Sequence, residues 1–157
     1  MIAKLKTGKS IALISDAGTP GISDPAFVLV KACIEEGIRI IPVPGASAIL
    51  AGLTTSGLAT NRFAFEGFLP IKKGRQTRLA LLAHEERTII LYESPHRLVK
   101  TVSALYDSLG ERRCSIAREL TKKFEEIFHG QLSEFIEHLE HHPPRGEYVL
   151  IIAGKNA

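Results

Sequence analysis

The stretch SIALISDAGTPGISDP, residues 10–25, decides the fold class because it joins a buried strand to a helix through a loop rich in glycine and proline. Ser10–Ser15 is a short apolar run bounded by turn residues, which is typical of a fully buried strand. Asp24 can cap the following helix, with Pro25 at the first helical position. Ile38–Val43 then predicts a second buried strand. This strand–helix–strand order predicts a parallel pair joined by a right-handed crossover.

Two loops stand at the carboxyl ends of these two predicted strands. The first is Asp16–Pro20 and the second is Pro42–Ala48. Glycine lets a backbone come close to a bound molecule, and α/β folds bind ligands at the carboxyl ends of neighbouring parallel strands. Capping of the next helix would by itself account for the Ser47 hydroxyl. The pair of loops nevertheless predicts a shared ligand site.

The chain beyond Gly57 has the pattern of a second α/β segment. We predict strands at 63–68, 88–92, 114–117, 126–129 and 148–153, with helices at 76–85, 94–110 and 133–141. We therefore assign residues 1–61 to the C-terminal part of a first α/β domain and residues 62–157 to a second α/β domain. The first domain is expected to be incomplete, because two strands alone would leave a sheet edge unsatisfied.

Composition excludes several classes of protein. Hydrophobic residues make up 45% of the 157 residues, which is enough for a core, and no apolar run reaches the roughly 18 residues of a membrane helix. The first residues lack the apolar segment of a secretory signal, so a cytoplasmic location is expected. Cys33 and Cys114 form no Cys-x-x-Cys pair, which argues against a zinc site or a disulfide framework. The net charge of +3 is compatible with an anionic partner such as RNA.

Three further patterns carry weaker signals. Gly8-Lys9-Ser10 is not a Walker A motif, because Ala3 stands where that motif needs glycine and because the segment precedes a strand. The histidines of residues 138–142 end a predicted helix, which indicates an exposed helix terminus, and we predict no metal site. Basic clusters at 72–78 and around 112–123 are either a solvated surface or contacts for phosphate groups.

Five segments taken together resemble one protein family. They are SDAGTPGISDP at 15–25, VPGASA at 43–48, FEGFLP at 65–70, YESPHR at 92–97 and ARELTK at 117–122. In this order they are similar to the tetrapyrrole (corrin/porphyrin) methylases, in the branch of small-subunit ribosomal RNA methyltransferase I, over essentially the whole chain. The family usually begins with a further strand and a glycine-rich loop, so we expect its N-terminal part to be absent here. Ala26 also stands where the family commonly has glycine.

The resemblance implies a two-domain class III methyltransferase fold of the α/β class, which binds S-adenosylmethionine between its domains and assembles as a homodimer. The implied partner is ribosomal RNA or the small ribosomal subunit, and the implied reaction is 2′-O-methylation of a cytidine ribose in 16S rRNA. It also implies cofactor contacts from both domains, at Asp16, Ala17, Gly18, Thr19, Pro20, Ser47, Ala48, Glu119, Leu120, Gly146 and Glu147.

The implied reaction needs a ribose oxygen, a methyl carbon and a sulfonium sulfur in line. A cation that stabilises the developing alkoxide, or a carboxylate that accepts its proton, would assist. The catalytic candidates are Arg118, Glu119, Lys122 and Glu93. An ion pair at a strand end would equally explain Arg118 with Glu119, and a helix cap would explain Glu93. Two other functions stay open, methylation of a corrin or porphyrin ring carbon and a non-catalytic truncated fragment that dimerises.

Overall fold

The computed structural model describes residues 1–157, and the chain divides by compactness into two units. Unit 1 is Met1–Ser47 and unit 2 is Ala48–Ala157. The division falls before α3 (Ala48–Thr55) rather than at residue 61, because α3 packs on the sheet of unit 2 through Ile49 and Leu53. The assignment of residues 1–61 to a first domain stays a prediction. No helix combines the length and the apolar character needed to cross a membrane.

Unit 1 contains two helices, α1 (Ile2–Lys6) and α2 (Ala26–Glu35), and no strand. The prediction of buried strands at 10–15 and 38–43 is therefore wrong for this structure. Ile14 is 83% exposed and Val43 is 84% exposed. A buried parallel strand needs hydrogen-bonded neighbours and an apolar layer on each face, and neither segment has them here.

Unit 2 is built on a five-stranded mixed sheet with the strand order β1-β2-β5-β3-β4. Only β1 and β2 pair in parallel, and every other neighbouring pair is antiparallel. All five predicted strands are confirmed to within a few residues at their ends. The strands are β1 (Phe63–Phe68), β2 (Thr88–Glu93), β3 (Arg113–Arg118), β4 (Glu126–Gln131) and β5 (Tyr148–Ile152).

Helices cover both faces of this sheet. The larger core lies between one face and three helices, α4 (Arg75–Leu82), α5 (Pro95–Leu109) and α6 (Leu132–His141). The other face packs on α3 through a smaller core that includes Ile90, Val149 and Ile151. The predicted start of α5 at Ser94-Pro95 and its end at Gly110 are confirmed. The sheet is thus packed on both faces by helices.

Gly52 lets α3 lie close against β5. A Cβ atom at this position would stand 3.0 Å from Cδ1 of Ile151 and 3.3 Å from Cγ1 of Val149. Both distances are shorter than ordinary contact between carbon atoms. The spacing between α3 and the sheet therefore depends on the absence of a side chain here.

We expect Gly52→Val to lower the free energy of unfolding by about 1–3 kcal/mol, because the added carbon atoms would overpack the contact with β5. Ala51→Val is the matched control, since it adds a similar volume at a less buried position of the same helix. Urea denaturation monitored by circular dichroism measures both variants. Equal stability of the two variants would contradict the proposed close contact.

Candidate active site

The two loops predicted to share a ligand are adjacent within unit 1. The Thr19 hydroxyl donates a hydrogen bond of 2.8 Å to the carbonyl oxygen of Ala46. Gly18 has a φ of +67°, and a Cβ atom there would lie 4.0 Å from the same carbonyl oxygen. The loops therefore meet, although the strands expected before them are not formed.

Asp24 organises the end of the first loop and the start of α2. Its Oδ1 atom accepts hydrogen bonds from the backbone N–H groups of Ala26 at 2.7 Å and Gly21 at 3.0 Å. The prediction that Asp24 is the N-cap and Pro25 the first helical residue is wrong by one residue, since Pro25 is the N-cap and α2 begins at Ala26. One carboxylate joins the glycine-rich turn to the helix, which satisfies two donors that would otherwise lack partners.

A second cluster of predicted site residues lies in unit 2, where β3 ends and β5 begins. The Glu119 N–H donates to the Glu147 carbonyl oxygen at 2.9 Å, and the Glu147 N–H donates to Oε1 of Glu119 at 2.9 Å. Gly146 has a φ of +76°, and a Cβ atom there would lie 2.5 Å from Cγ of Glu119. Only glycine fits against the Glu119 side chain in this position.

Lys122 bridges the two carboxylates of this cluster. Its Nζ atom lies 3.0 Å from Oε1 of Glu119 and 2.9 Å from Oε2 of Glu147. The backbone N–H of Glu147 and then the Lys122 ammonium lower the pKa of Glu119. The Glu147 and Glu119 carboxylates in turn raise the pKa of Lys122. Lys122 is thus held as a cation, and Glu119 is a weak proton acceptor.

The turn that carries these residues has an unusual backbone. Glu119 has a φ of +47° and Thr121 has a φ of +66°. Non-glycine residues adopt this region at a cost of about 1–3 kcal/mol, and such positions concentrate at functional sites. The Thr121 N–H donates to Oε2 of Glu125 at 2.5 Å, which fixes the turn. The conformation places the Glu119 carboxylate beside Lys122.

Arg118 is held by two contacts of its own. Its Nε atom donates to the Arg145 carbonyl oxygen at 2.8 Å, and its Nη1 atom lies 3.0 Å from Oε2 of Glu126. Leu120, another predicted cofactor contact, is half-buried against the small core under α3. The structure therefore brings together Arg118, Glu119, Leu120, Lys122, Gly146 and Glu147 at one corner of the sheet.

Glu93 lies apart from this corner, across β5. Its side chain is fully buried and accepts hydrogen bonds from the Ser94 N–H at 2.8 Å and the Thr101 hydroxyl at 2.7 Å. The Nε atom of Arg97 lies 3.4 Å from its Oε1 atom. These contacts match the helix-capping interpretation, and a catalytic role for Glu93 stays a prediction.

Sequence reasoning missed two partners in these networks. One is the Arg145 carbonyl oxygen that holds Arg118, and the other is Thr101, which links Glu93 to Arg75. The spacing of four residues between Glu93 and Arg97 could not have indicated their ion pair by helical periodicity, because Glu93 ends β2 and only Arg97 lies in α5. No group of three or more His, Cys, Asp or Glu side chains is placed to hold a metal ion.

Comparison with known proteins gives these residues a family context. The model of the family Tetrapyrrole (Corrin/Porphyrin) Methylases matches residues 1–136. A protein named ribosomal RNA small subunit methyltransferase I from Synechocystis sp. is 55% identical over 98% of this chain and 56% of its own length. A protein of the same name from Thermotoga maritima is 45% identical over 96% of this chain and 68% of its own length. The chain spans little more than half the length of most of these relatives.

Solved structures show the same fold at low sequence identity. The methyltransferase CobJ matches with a TM-score of 0.71 at 19% identity, over 98% of this chain and 68% of its own. Uroporphyrin-III C-methyl transferase from Thermus thermophilus, complexed with S-adenyl homocysteine, matches with a TM-score of 0.59 at 21% identity, over 87% of this chain and 62% of its own.

These similarities confirm the fold class predicted from the sequence, an α/β chain with the class III methyltransferase fold. The family model matches most of the chain, and the Thermotoga maritima relative is matched over 68% of its length. The chain therefore belongs to the tetrapyrrole (corrin/porphyrin) methylase family, within the group of ribosomal RNA small subunit methyltransferase I.

Proposed function

We propose that this chain forms the larger part of an S-adenosylmethionine-dependent methyltransferase that methylates the ribose 2′-hydroxyl of a cytidine in 16S rRNA. The observation that carries the proposal is the 55% identity, over nearly the whole chain, to a protein named ribosomal RNA small subunit methyltransferase I. The partner is then the small ribosomal subunit or its RNA, and the assembly is a homodimer in the cytoplasm.

Each unit, taken by itself, contains residues that the family resemblance assigns to cofactor binding. In unit 1 these are Asp16–Pro20 and Ser47, and the Thr19 hydrogen bond to Ala46 supports a joint role for the two loops. Gly18 has only one neighbouring atom near the place of a side chain, so its backbone is open to a ligand. In unit 2 they are Ala48 at the start of α3 and the corner residues Glu119, Leu120, Gly146 and Glu147. S-adenosylmethionine supplies a methyl group on a positively charged sulfur.

The corner residues are better suited to stabilise negative charge on the oxygen than to accept its proton. A ribose hydroxyl is a poor acid, so a fixed positive charge beside the oxygen lowers the barrier to its attack. Lys122 has a raised pKa and stays protonated, whereas the lowered pKa of Glu119 makes it a weak proton acceptor. We assign charge stabilisation to Lys122, with Arg118 as a second cation, and orientation of Lys122 to Glu119. The oxygen–methyl bond would form as the methyl–sulfur bond breaks, and the hydroxyl proton would pass to solvent water at this exposed corner. The remaining rate enhancement comes from positioning the reactants.

A specific observation keeps a second function open. The solved structures with this fold include enzymes whose names give porphyrin-type substrates, such as uroporphyrin-III C-methyl transferase. Methylation of a corrin or porphyrin ring carbon is therefore the alternative, since a fold does not determine its substrate. An assay that offers labelled cofactor with either small ribosomal subunits or a tetrapyrrole intermediate separates the two functions. Transfer to the tetrapyrrole alone would refute the main proposal.

A non-catalytic role for this chain alone is the third possibility. It follows from the coverage of little more than half of most relatives' length. Titration calorimetry with S-adenosylmethionine discriminates, because a chain without a complete site would release no measurable heat of binding. Binding by an extended form, together with none by residues 1–157, would assign the activity to the longer protein only.

We expect Lys122→Met to lower the rate of methyl transfer by about 10²–10³-fold, in a protein extended to the length of the relatives, because it removes the cation from the developing alkoxide. Lys122→Arg should retain part of the activity. Lys123→Met is the matched control, since Lys123 is an exposed neighbour outside the carboxylate bridge. Incorporation of labelled methyl groups into small ribosomal subunits measures all three. A Lys122→Met rate equal to that of the control would remove Lys122 from the mechanism.

We expect Thr19→Val to weaken S-adenosylmethionine binding by about 3–10-fold, because it removes one hydrogen bond that holds the two loops together. Thr19→Ser keeps the hydroxyl and should bind normally. Thr7→Val is a control for the loss of a threonine hydroxyl, since that group bonds only to its own helix end. Titration calorimetry provides the measurement, and unchanged affinity in Thr19→Val would argue against a joint cofactor site in unit 1.

A further inference from the structure

Two of the segments that identify the family meet in a buried polar network within unit 2. The first, residues 65–70, runs from β1 into the loop before α4, and the second, residues 92–97, joins β2 to α5. The Arg97 guanidinium donates to the Leu69 carbonyl oxygen at 2.5 Å and lies 3.4 Å from Oε1 of the buried Glu93. Glu93 thus orients an arginine that holds the loop after β1.

The same carboxylate reaches the loop by a second route. The Thr101 hydroxyl donates to Oε2 of Glu93 at 2.7 Å and accepts a hydrogen bond from Arg75 Nη2 at 3.1 Å. The Nη1 atom of Arg75 donates to the Pro70 carbonyl oxygen at 3.2 Å. Two consecutive carbonyl oxygens, those of Leu69 and Pro70, are therefore each held by an arginine that Glu93 orients directly or through Thr101.

Immediately after the two held carbonyl oxygens of Leu69 and Pro70, the chain exposes a short basic segment. We call Ile71–Gly74 the basic loop. Lys72 and Lys73 are both exposed, and neither takes part in an ion pair, whereas the nearby Arg78 is paired with Glu66. The loop is closed by a hydrogen bond of 3.2 Å from the Arg75 N–H to the Lys72 carbonyl oxygen, and Gly74 has a φ of +83°.

The basic loop combines a hydrogen-bonded backbone with two lysine side chains that form no ion pair. Residues 69–78 contain four cationic side chains and no acidic one. Two of the four cations, Arg75 and Arg78, are already engaged by the protein, so Lys72 and Lys73 are the charges left for an external anion. A lysine on a rigid loop loses less conformational freedom when it binds than one on a flexible loop.

We propose that the basic loop contacts the phosphate backbone of the RNA substrate, and that Glu93 is a positioning residue that fixes this loop through Arg97, Thr101 and Arg75. The RNA is the partner assigned by the proposed function, on which this inference rests. The buried carboxylate thereby acts at a distance from the methyl transfer itself. Lysine ammonium groups bind phosphate as point charges, so the loop contributes affinity and orientation rather than base recognition.

Salt dependence of RNA binding tests the role of the lysines. Each lysine that neutralises a phosphate of single-stranded RNA contributes about 0.7 to the slope of log affinity against log salt. Lys72→Ala combined with Lys73→Ala should therefore reduce that slope by about 1.4. Fluorescence anisotropy with a labelled single-stranded RNA of mixed sequence, over a series of KCl concentrations, measures it.

The matched control is Lys9→Ala combined with Lys155→Ala. It removes the same charge from two exposed lysines that are also outside any ion pair. We expect its slope to stay close to that of the parent chain. Equal slopes for the two double variants would overturn the proposal, as would an unaltered chain that binds no RNA at low salt.

Two substitutions within the buried network test the positioning role of Glu93. Glu93→Gln weakens the hold on Arg97, and Thr101→Val removes only the hydroxyl that links Glu93 to Arg75. Both leave Lys72 and Lys73 in place, so RNA affinity should fall severalfold with little change in the salt slope. A purely structural role would leave RNA affinity unchanged in any variant that keeps the parent's circular dichroism spectrum, and that result would overturn the proposal. Thr101→Val serves if Glu93→Gln does not fold.

Cofactor calorimetry on the same variants separates this inference from the proposed function. We expect the affinity for S-adenosylmethionine to be unchanged in the Lys72 and Lys73 double variant and in Thr101→Val. A chain that binds RNA through the basic loop but never binds the cofactor would uphold the inference and refute the proposed function. A chain that binds the cofactor but shows no contribution from Lys72 and Lys73 to RNA binding would do the reverse.

Discussion

The central position of β5 is the constraint on which the described arrangement of unit 2 depends. All five residues of β5 are buried, and the strand pairs antiparallel with both β2 and β3. A central strand is held by hydrogen bonds along both edges and by apolar packing on both faces. Its register aligns Glu93, Tyr148 and Arg118 in one row across the sheet. The two polar networks of unit 2 are therefore set at opposite sides of β5.

These networks use charge in different ways. At the corner of β3 and β5, Lys122 lies between two carboxylates at the surface, where solvent limits the strength of each ion pair. Around Glu93 the carboxylate is buried, and leaving it without partners would be strongly unfavourable. The proposed roles follow this difference, with charge stabilisation assigned to the exposed Lys122 and positioning to the buried Glu93.

Unit 1 forms its local hydrogen bonds although it contains no sheet. Asp24 accepts a hydrogen bond from the first N–H of α2, and Thr19 joins the two loops, both through short hydrogen bonds. These contacts involve residues close to turns and helix ends, where side chain and backbone can pair locally. The apolar runs at 10–15 and 38–43 form no strand and are mostly exposed. Their β-strand character is a property that only neighbouring strands can realise.

The sequence by itself determined the family, through its motifs. It also determined the five strands of unit 2 and the ends of α5, because apolar periodicity, proline and glycine act over a few neighbouring positions. It also indicated that Glu119, Lys122 and Glu147 belong to one site, through the family resemblance. Only the tertiary structure decided that β5 runs antiparallel between β2 and β3, that Lys122 bridges two carboxylates, and that Glu93 is buried beside Thr101. Those facts depend on pairing between residues far apart in the chain, and strand order and burial are settled by the competition of all such pairings at once.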